Sequence, residues 1–370
     1  MQLQNELLLL FLSFFVSAII YPILINFLYK AQFRESIRES GPKTHQVKAG
    51  TPTMGGIGFF IVTFIVNLFF NFSLMQTALV LVVFAIAGAF GLIEDLFKVY
   101  SRSKLRENIR IEVYEVFSKT DNSWTFYKIL LIPWNLFREF TRLIGSNPTN
   151  RGVKLKSHYK FLMHLSLGFL IGFWFYFKLD RSTIIIPFMG SFDLGFFYFL
   201  LIPLFFVFIL NATAITDGLD GLLGGITLLI LPVYWIISMY LGYFGIAKFI
   251  AIFFGALLVY LYFNIFPARV FMGDVGSYAI AGVLFIIPVL MKVEFLILIT
   301  HALCIFDGGI SGIAQQLSVK FFKKRIFKMA PVHHHFEVLG WPESKVTMRF
   351  YLIQILLSFV GLLAFSFMVL

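Results

Sequence analysis

Residues 77–98 read TALVLVVFAIAGAFGLIEDLFK. No charge interrupts the run from Thr77 to Ile93; then Glu94 and Asp95 arrive side by side, with Lys98 four residues after Glu94. A continuous apolar run of this kind reads as a helix crossing a membrane, because a helix satisfies its own backbone groups where no water can. Carboxylates placed beside hydrocarbon are costly, so the end of such a run is where function should be sought.

The same pattern recurs along the chain. Of its 370 residues 59% are hydrophobic, 13% are charged and 49 are phenylalanine. With a mean hydropathy of +0.88, this leaves too little polar surface to cover a water-soluble globule. Apolar stretches fall roughly at 7–28, 54–74, 77–93, 159–177, 195–215, 221–240, 244–263, 274–291, 295–316 and 350–369. The expected fold is therefore all-α, a single polytopic domain over 1–370 with ten transmembrane helices. The runs are continuous rather than alternating, which excludes a barrel. The first run lacks a basic leader and a small-residue cleavage pattern, so it is expected to be retained. With Cys304 the only cysteine, there is no basis for an internal disulfide or a thiol mechanism.

Ten spans place both termini on one side. Loops 29–52, 98–160, 264–275 and 317–349 hold 26 of the 30 Lys and Arg residues, so these loops are expected in the cytoplasm and both termini outside. Residues 124–141 are apolar enough to suggest another crossing, but they carry Lys128, Pro133, Arg138 and Glu139. An interfacial helix near 124–141, within a cytoplasmic insertion at 101–150, fits better. The net charge of +11 on this face favours anionic lipid headgroups and anionic substrates, although basic loops also orient any membrane protein.

Five acids then share one face. Glu94 and Lys98 have the spacing of an ordinary helical ion pair, yet Asp95 leaves negative charge in excess, suited to Mg²⁺ or to accepting a proton. Thr216-Asp217-Gly218-Leu219-Asp220-Gly221 joins two runs; a turn accounts for Asp217-Gly218 but not for the second acid. In Asn264 to Asp274, a proline stop, Arg269 and Phe271 precede an acid flanked by glycines, and Asp274 reads equally as ligand or helix N-cap. His333, His334 and His335 cannot all face one point on a helix, so they suit phosphate binding beside the basic run 323–328 better than a zinc site. Lys48 and Thr53 precede the second span, where capping and phosphate binding are both open readings. Carboxylates, lysines and histidines on one face, beside apolar helices, suit phosphoryl transfer from a charged soluble donor to a lipid acceptor. No Walker-type loop is present, which disfavours ATP as donor. A cation-coupled transporter would instead place its acids near the membrane midplane.

GTPTMGG at 50–56, Glu94-Asp95 with Lys98, TDGLDGL at 216–222, FMGDVGS at 271–277 and MAPVHHHFE at 329–337 together resemble the phospho-N-acetylmuramoyl-pentapeptide transferase family, within the polyprenyl-phosphate sugar-1-phosphate transferases. The likeness spans nearly the whole chain outside 101–150, and the histidine triplet is its most specific part. It implies a Mg²⁺-dependent, multi-pass, often dimeric enzyme of the bacterial inner membrane, with periplasmic termini and a cytoplasmic active site. The implied reaction moves phospho-MurNAc-pentapeptide from UDP-MurNAc-pentapeptide to undecaprenyl phosphate, giving lipid I and UMP for peptidoglycan; a transferase using UDP-GlcNAc is the alternative. No nucleic acid is expected as a partner.

By the same resemblance Glu94, Asp95 and Asp274 are the catalytic positions, and Asp274 the metal ligand. Lys48, Thr53, Asn211, Asp217, Asp220, Asn264 and Phe271 fall in the nucleotide and phosphate pocket, and Lys98 with His333, His334 and His335 at substrate phosphate or sugar. Glu94 stands where the family has Asp, Ala214 where it has a second Asn, and Gly308 where it has Glu, with Asp307 alongside.

Overall fold

A computed structural model describes residues 2–33, 50–73, 76–100, 157–187 and 189–369. The insertion at 101–150, with the expected interfacial helix near 124–141, and Lys48 lie outside these residues. The described chain is mostly helical. It runs through α1 (Gln2–Lys30), α2 (Gly56–Phe70), α3 (Ala78–Tyr100), α4 (Ser157–Phe173), α5 (Phe196–Thr216), α6 (Leu222–Tyr240), α7 (Phe244–Asn264) and α8 (Gly273–Leu290). After these come the short turns α9 (Leu296–Thr300) and α10 (Ala302–Cys304), then α11 (Ser311–Phe322), α12 (Val332–Val338) and α13 (Glu343–Val369).

Eight of these helices, counting α4 with its π-helical continuation Trp174–Lys178, are long and apolar enough to cross a membrane. Two expected spans take other forms. The second is α2, whose 15 residues reach about 22 Å, short of the roughly 30 Å of a hydrocarbon core. The ninth is broken: α9 and α10 are joined through the wider π-turns of Ile305–Ile310 to α11. An antiparallel hairpin, β1 (Thr183–Ile186) with β2 (Gly190–Asp193), also interrupts the expected all-α pattern; Thr183 to Ile186 is a short β-branched run between α4 and α5, too brief for a helix.

The helices converge through backbone contact. Gly91 of α3 lies against Asp274 of α8, where a methyl on Gly91 would overlap the Asp274 carbonyl; Gly56 of α2 meets Gly276 of α8 in the same way. Small residues permit such approach where lipid gives helices no hydrophobic reason to associate. Gly91, Asp95 and Lys98 follow at spacings of four and three, so one stripe of α3 carries the close contact and then the charges. Hydrogen bonds bring the loops 50–56, 216–222 and 264–275 to the same end as the last turns of α3. At the opposite end, Arg181 donates to the carbonyls of Val289 and Leu290, and Asn71 to that of Gly245.

Gly91→Val should lower stability by about 1–3 kcal/mol through overpacking, read as a lower thermal midpoint of the purified protein. Gly312→Ala, in open space on α11, should leave the midpoint unchanged or slightly raised.

Candidate active site

The last turns of α3 meet the first turn of α8. Asp95, only 2% exposed, accepts a hydrogen bond at Oδ2 from the backbone N–H of Val275 at 3.0 Å. It thereby satisfies one of the unpaired donors at the start of α8, from a different helix. Asp274 stands in that first turn with its side chain 20% exposed. Lys98 reaches across to form an ion pair with Asp274, and its Nζ lies 3.6 Å from Asp95 and 3.8 Å from Glu94. The helical Glu94–Lys98 pair therefore exists, but its cation is drawn towards α8.

Glu94 is 4% exposed and is held on both sides: Oε2 accepts from the Tyr278 hydroxyl at 2.8 Å, and Oε1 pairs with Lys160 of α4. Among the described residues, three carboxylates thus face two lysines. The open side is that of Asp274 and Lys98, the latter with a side chain 35% exposed. No group of three or more His, Cys, Asp or Glu side chains among the described residues is close enough to hold a metal by itself. Even so, the donors are hard carboxylate oxygens, and Lys98 already places a cation between them. This chemistry suits Mg²⁺, which keeps several water or substrate ligands beside one or two carboxylates.

The segment 264–274 ties this cluster to the next loops. Asn264 accepts from the Gly221 N–H at 2.9 Å and donates to the Val270 carbonyl at 2.8 Å, so its amide clamps two turns together. Asp220 accepts from Ala268 N–H at 3.0 Å, while its own N–H donates to Glu343. The backbone of Phe271 pairs with Pro52 and Gly55, on either side of the buried Thr53 and Met54. Asp217 ends α5 half-buried. Asn211, one face further back, donates to Val207 within its own helix and is exposed.

The three histidines point three ways, as their spacing requires. His333 is fully buried; its N–H donates to Asp307 Oδ1 at 2.8 Å and its Nδ1 lies 2.7 Å from Asp307 Oδ2. Its Nε2 is buried, has no hydrogen-bond partner among the described residues, and lies against Gly218, where any side chain would collide with it. Gly218 of the TDGLDGL run is therefore needed for closeness. His334 pairs with Glu337 at 2.7 Å, and His335 Nδ1 accepts from the Lys328 N–H at 3.0 Å. Asp307, one residue before the expected acid position and within the π-turns, orients His333; a methyl on the neighbouring Gly308 would overlap the Ala212 carbonyl.

Lys160 also lines a groove of about 480 Å³, together with Phe161, Leu204, Val207, Phe208 and Asn211. Lys160, Tyr278, Asp307 and Glu343 are the residues that sequence reasoning did not select. Lys160 was one of thirteen basic residues in its loop, and nothing local distinguished it from the others.

Residues 152–292 match the model of Glycosyl transferase family 4. The chain is 36% identical to the phospho-N-acetylmuramoyl-pentapeptide-transferase of Clostridium kluyveri, over 95% of this chain and 97% of that protein. It is 34% identical to the protein of the same name from Clostridium novyi, over 95% and 94%, and 31% identical to that from Clostridium botulinum, over 96% and 95%. Identity at this level along the whole length, together with the acid, glycine and histidine runs assembled at one end of the helices, makes the chain a member of the phospho-N-acetylmuramoyl-pentapeptide transferase family.

Proposed function

We propose that this protein transfers phospho-MurNAc-pentapeptide from UDP-MurNAc-pentapeptide to undecaprenyl phosphate, forming lipid I and UMP in peptidoglycan synthesis. The observation that carries this reading is Lys160, which pairs with Glu94 of the charged cluster and also lines an apolar groove. A diphosphate donor needs the charged cluster and a polyprenyl acceptor needs the groove. The names of the relatives supply the sugar.

In this reading the acceptor lipid lies along Phe161, Leu204, Val207 and Phe208, with its phosphate at Lys160. Glu94 or Asp95 orients that phosphate or takes its proton. Its oxygen forms a bond to the β-phosphorus of the donor while the bond from that phosphorus to the bridging oxygen breaks, and UMP leaves with the electron pair. Lys98 stabilises charge on the diphosphate. Asp274 is the residue we assign to Mg²⁺, which when bound would neutralise the diphosphate and polarise it for attack. Thr53, Asn211, Asp217, Asp220, Asn264 and Phe271, with Lys48, are assigned to the nucleotide side, and His333, His334 and His335 to phosphate or sugar.

We further propose ten crossings, counting α2 and the broken segment 296–322 with the eight long helices. Both termini would be periplasmic and the site cytoplasmic, because the acids share their end with the basic loops. The setting is the bacterial inner membrane, and the enzyme is expected to be a homodimer.

Purified protein given UDP-MurNAc-pentapeptide, undecaprenyl phosphate and Mg²⁺ should release UMP, with little release from UDP-GlcNAc. Chelation should abolish release and added Mg²⁺ restore it. Asp274→Asn should lower the rate by about 100-fold or more; undiminished release from that variant would sink the assignment. Lys160→Met should raise the KM for the lipid acceptor by about 10-fold or more and leave the KM for the donor nearly unchanged. Equal shifts in both constants would place Lys160 elsewhere in the reaction.

A further inference from the structure

Glu94 has one more methylene than an aspartate and one more rotatable bond to immobilise. Two helices brace it. On α8, Tyr278 follows Asp274 by four residues, so the two side chains lie on one face one turn apart. On α4, His164 follows Lys160 by four residues in the same way. Asp274 and Lys160 face the open cluster, while Tyr278 and His164 form the layer beneath it. The Tyr278 hydroxyl donates to Glu94 Oε2 at 2.8 Å, and the His164 ring packs edge-on against the Tyr278 ring, with centroids 4.8 Å apart and planes at 87°.

This layer has a consequence for the acid. With Oε2 engaged below, Oε1 is the oxygen turned towards Lys160 and Lys98, the two cations of the cluster. The carboxylate is thus held in one orientation, with one oxygen reserved for the reacting groups. Tyrosine supplies a donor that carries no charge of its own in this role, so it fixes the carboxylate without neutralising it.

We propose that Tyr278 is a positioning residue for the transfer reaction, holding the long arm of Glu94 so that Oε1 faces the acceptor phosphate. The proposal rests on the transferase reading above. It makes Tyr278 specific to glutamate at this position: an aspartate carboxylate would be withdrawn by roughly 1.5 Å, beyond hydrogen-bond reach of the hydroxyl.

The test is a double-mutant cycle on wild type, Tyr278→Phe, Glu94→Asp and the double variant. It measures kcat, KM for each substrate and the thermal midpoint of each protein. Tyr278→Phe should lower kcat by about 10-fold, with both KM values within about twofold of wild type. In the Glu94→Asp background the same substitution should change kcat by less than about twofold. The thermal midpoints should not follow that pattern. An unchanged kcat for Tyr278→Phe, or an equal loss in both backgrounds, or a loss that tracks a fallen midpoint in both, overturns the proposal in an enzyme whose wild type is active. A wild type that releases no UMP overturns the transferase reading, and the role of Tyr278 with it.

Discussion

The close contact of α3 with α8 is the constraint on which the rest of the site depends. Glycine at position 91 lets the two backbones touch, and one turn later Asp95 is near enough to accept the Val275 N–H at the start of α8. The carboxylate meets the positive end of a helix dipole in surroundings nearly closed to water. From there the placement of the other groups follows: Asp274 in the same first turn, Lys98 drawn across to it, and Glu94 turned aside to Tyr278 and Lys160.

Much of this was legible in the sequence because it is written in short-range spacing. The apolar runs gave the helices, and the acids at their ends gave the site. Glu94 and Lys98 are four apart and do approach each other; three consecutive histidines could not converge and do not. The convergence of the loops around Glu94, Asp217, Asp220 and Asp274 also follows from counting crossings, because alternate ends of consecutive helices must lie on one side.

What could not be read was pairing at long range. Lys160 lies 66 residues from Glu94, and Tyr278 lies 184 residues from it; no local pattern announces either partner. Asp307 is marked in the sequence only as the neighbour of Gly308, and its partner His333 lies 26 residues away. The broken ninth segment was hidden by hydropathy, which counts apolar residues and is blind to how their backbone is wound. Asn264 and Asp220 were expected to face the nucleotide; their polar atoms also hold the loops 216–222 and 264–274 together, a structural duty invisible in a motif.

The central claim is that the charged cluster and the apolar groove act together, passing a phosphosugar from a soluble carrier to a lipid one. Following a label in the sugar of UDP-MurNAc-pentapeptide tests it most directly. With undecaprenyl phosphate and Mg²⁺ present, the label should move into the organic phase in step with the UMP released. Label that stays in the aqueous phase while UMP appears would show hydrolysis rather than transfer, and would contradict the account.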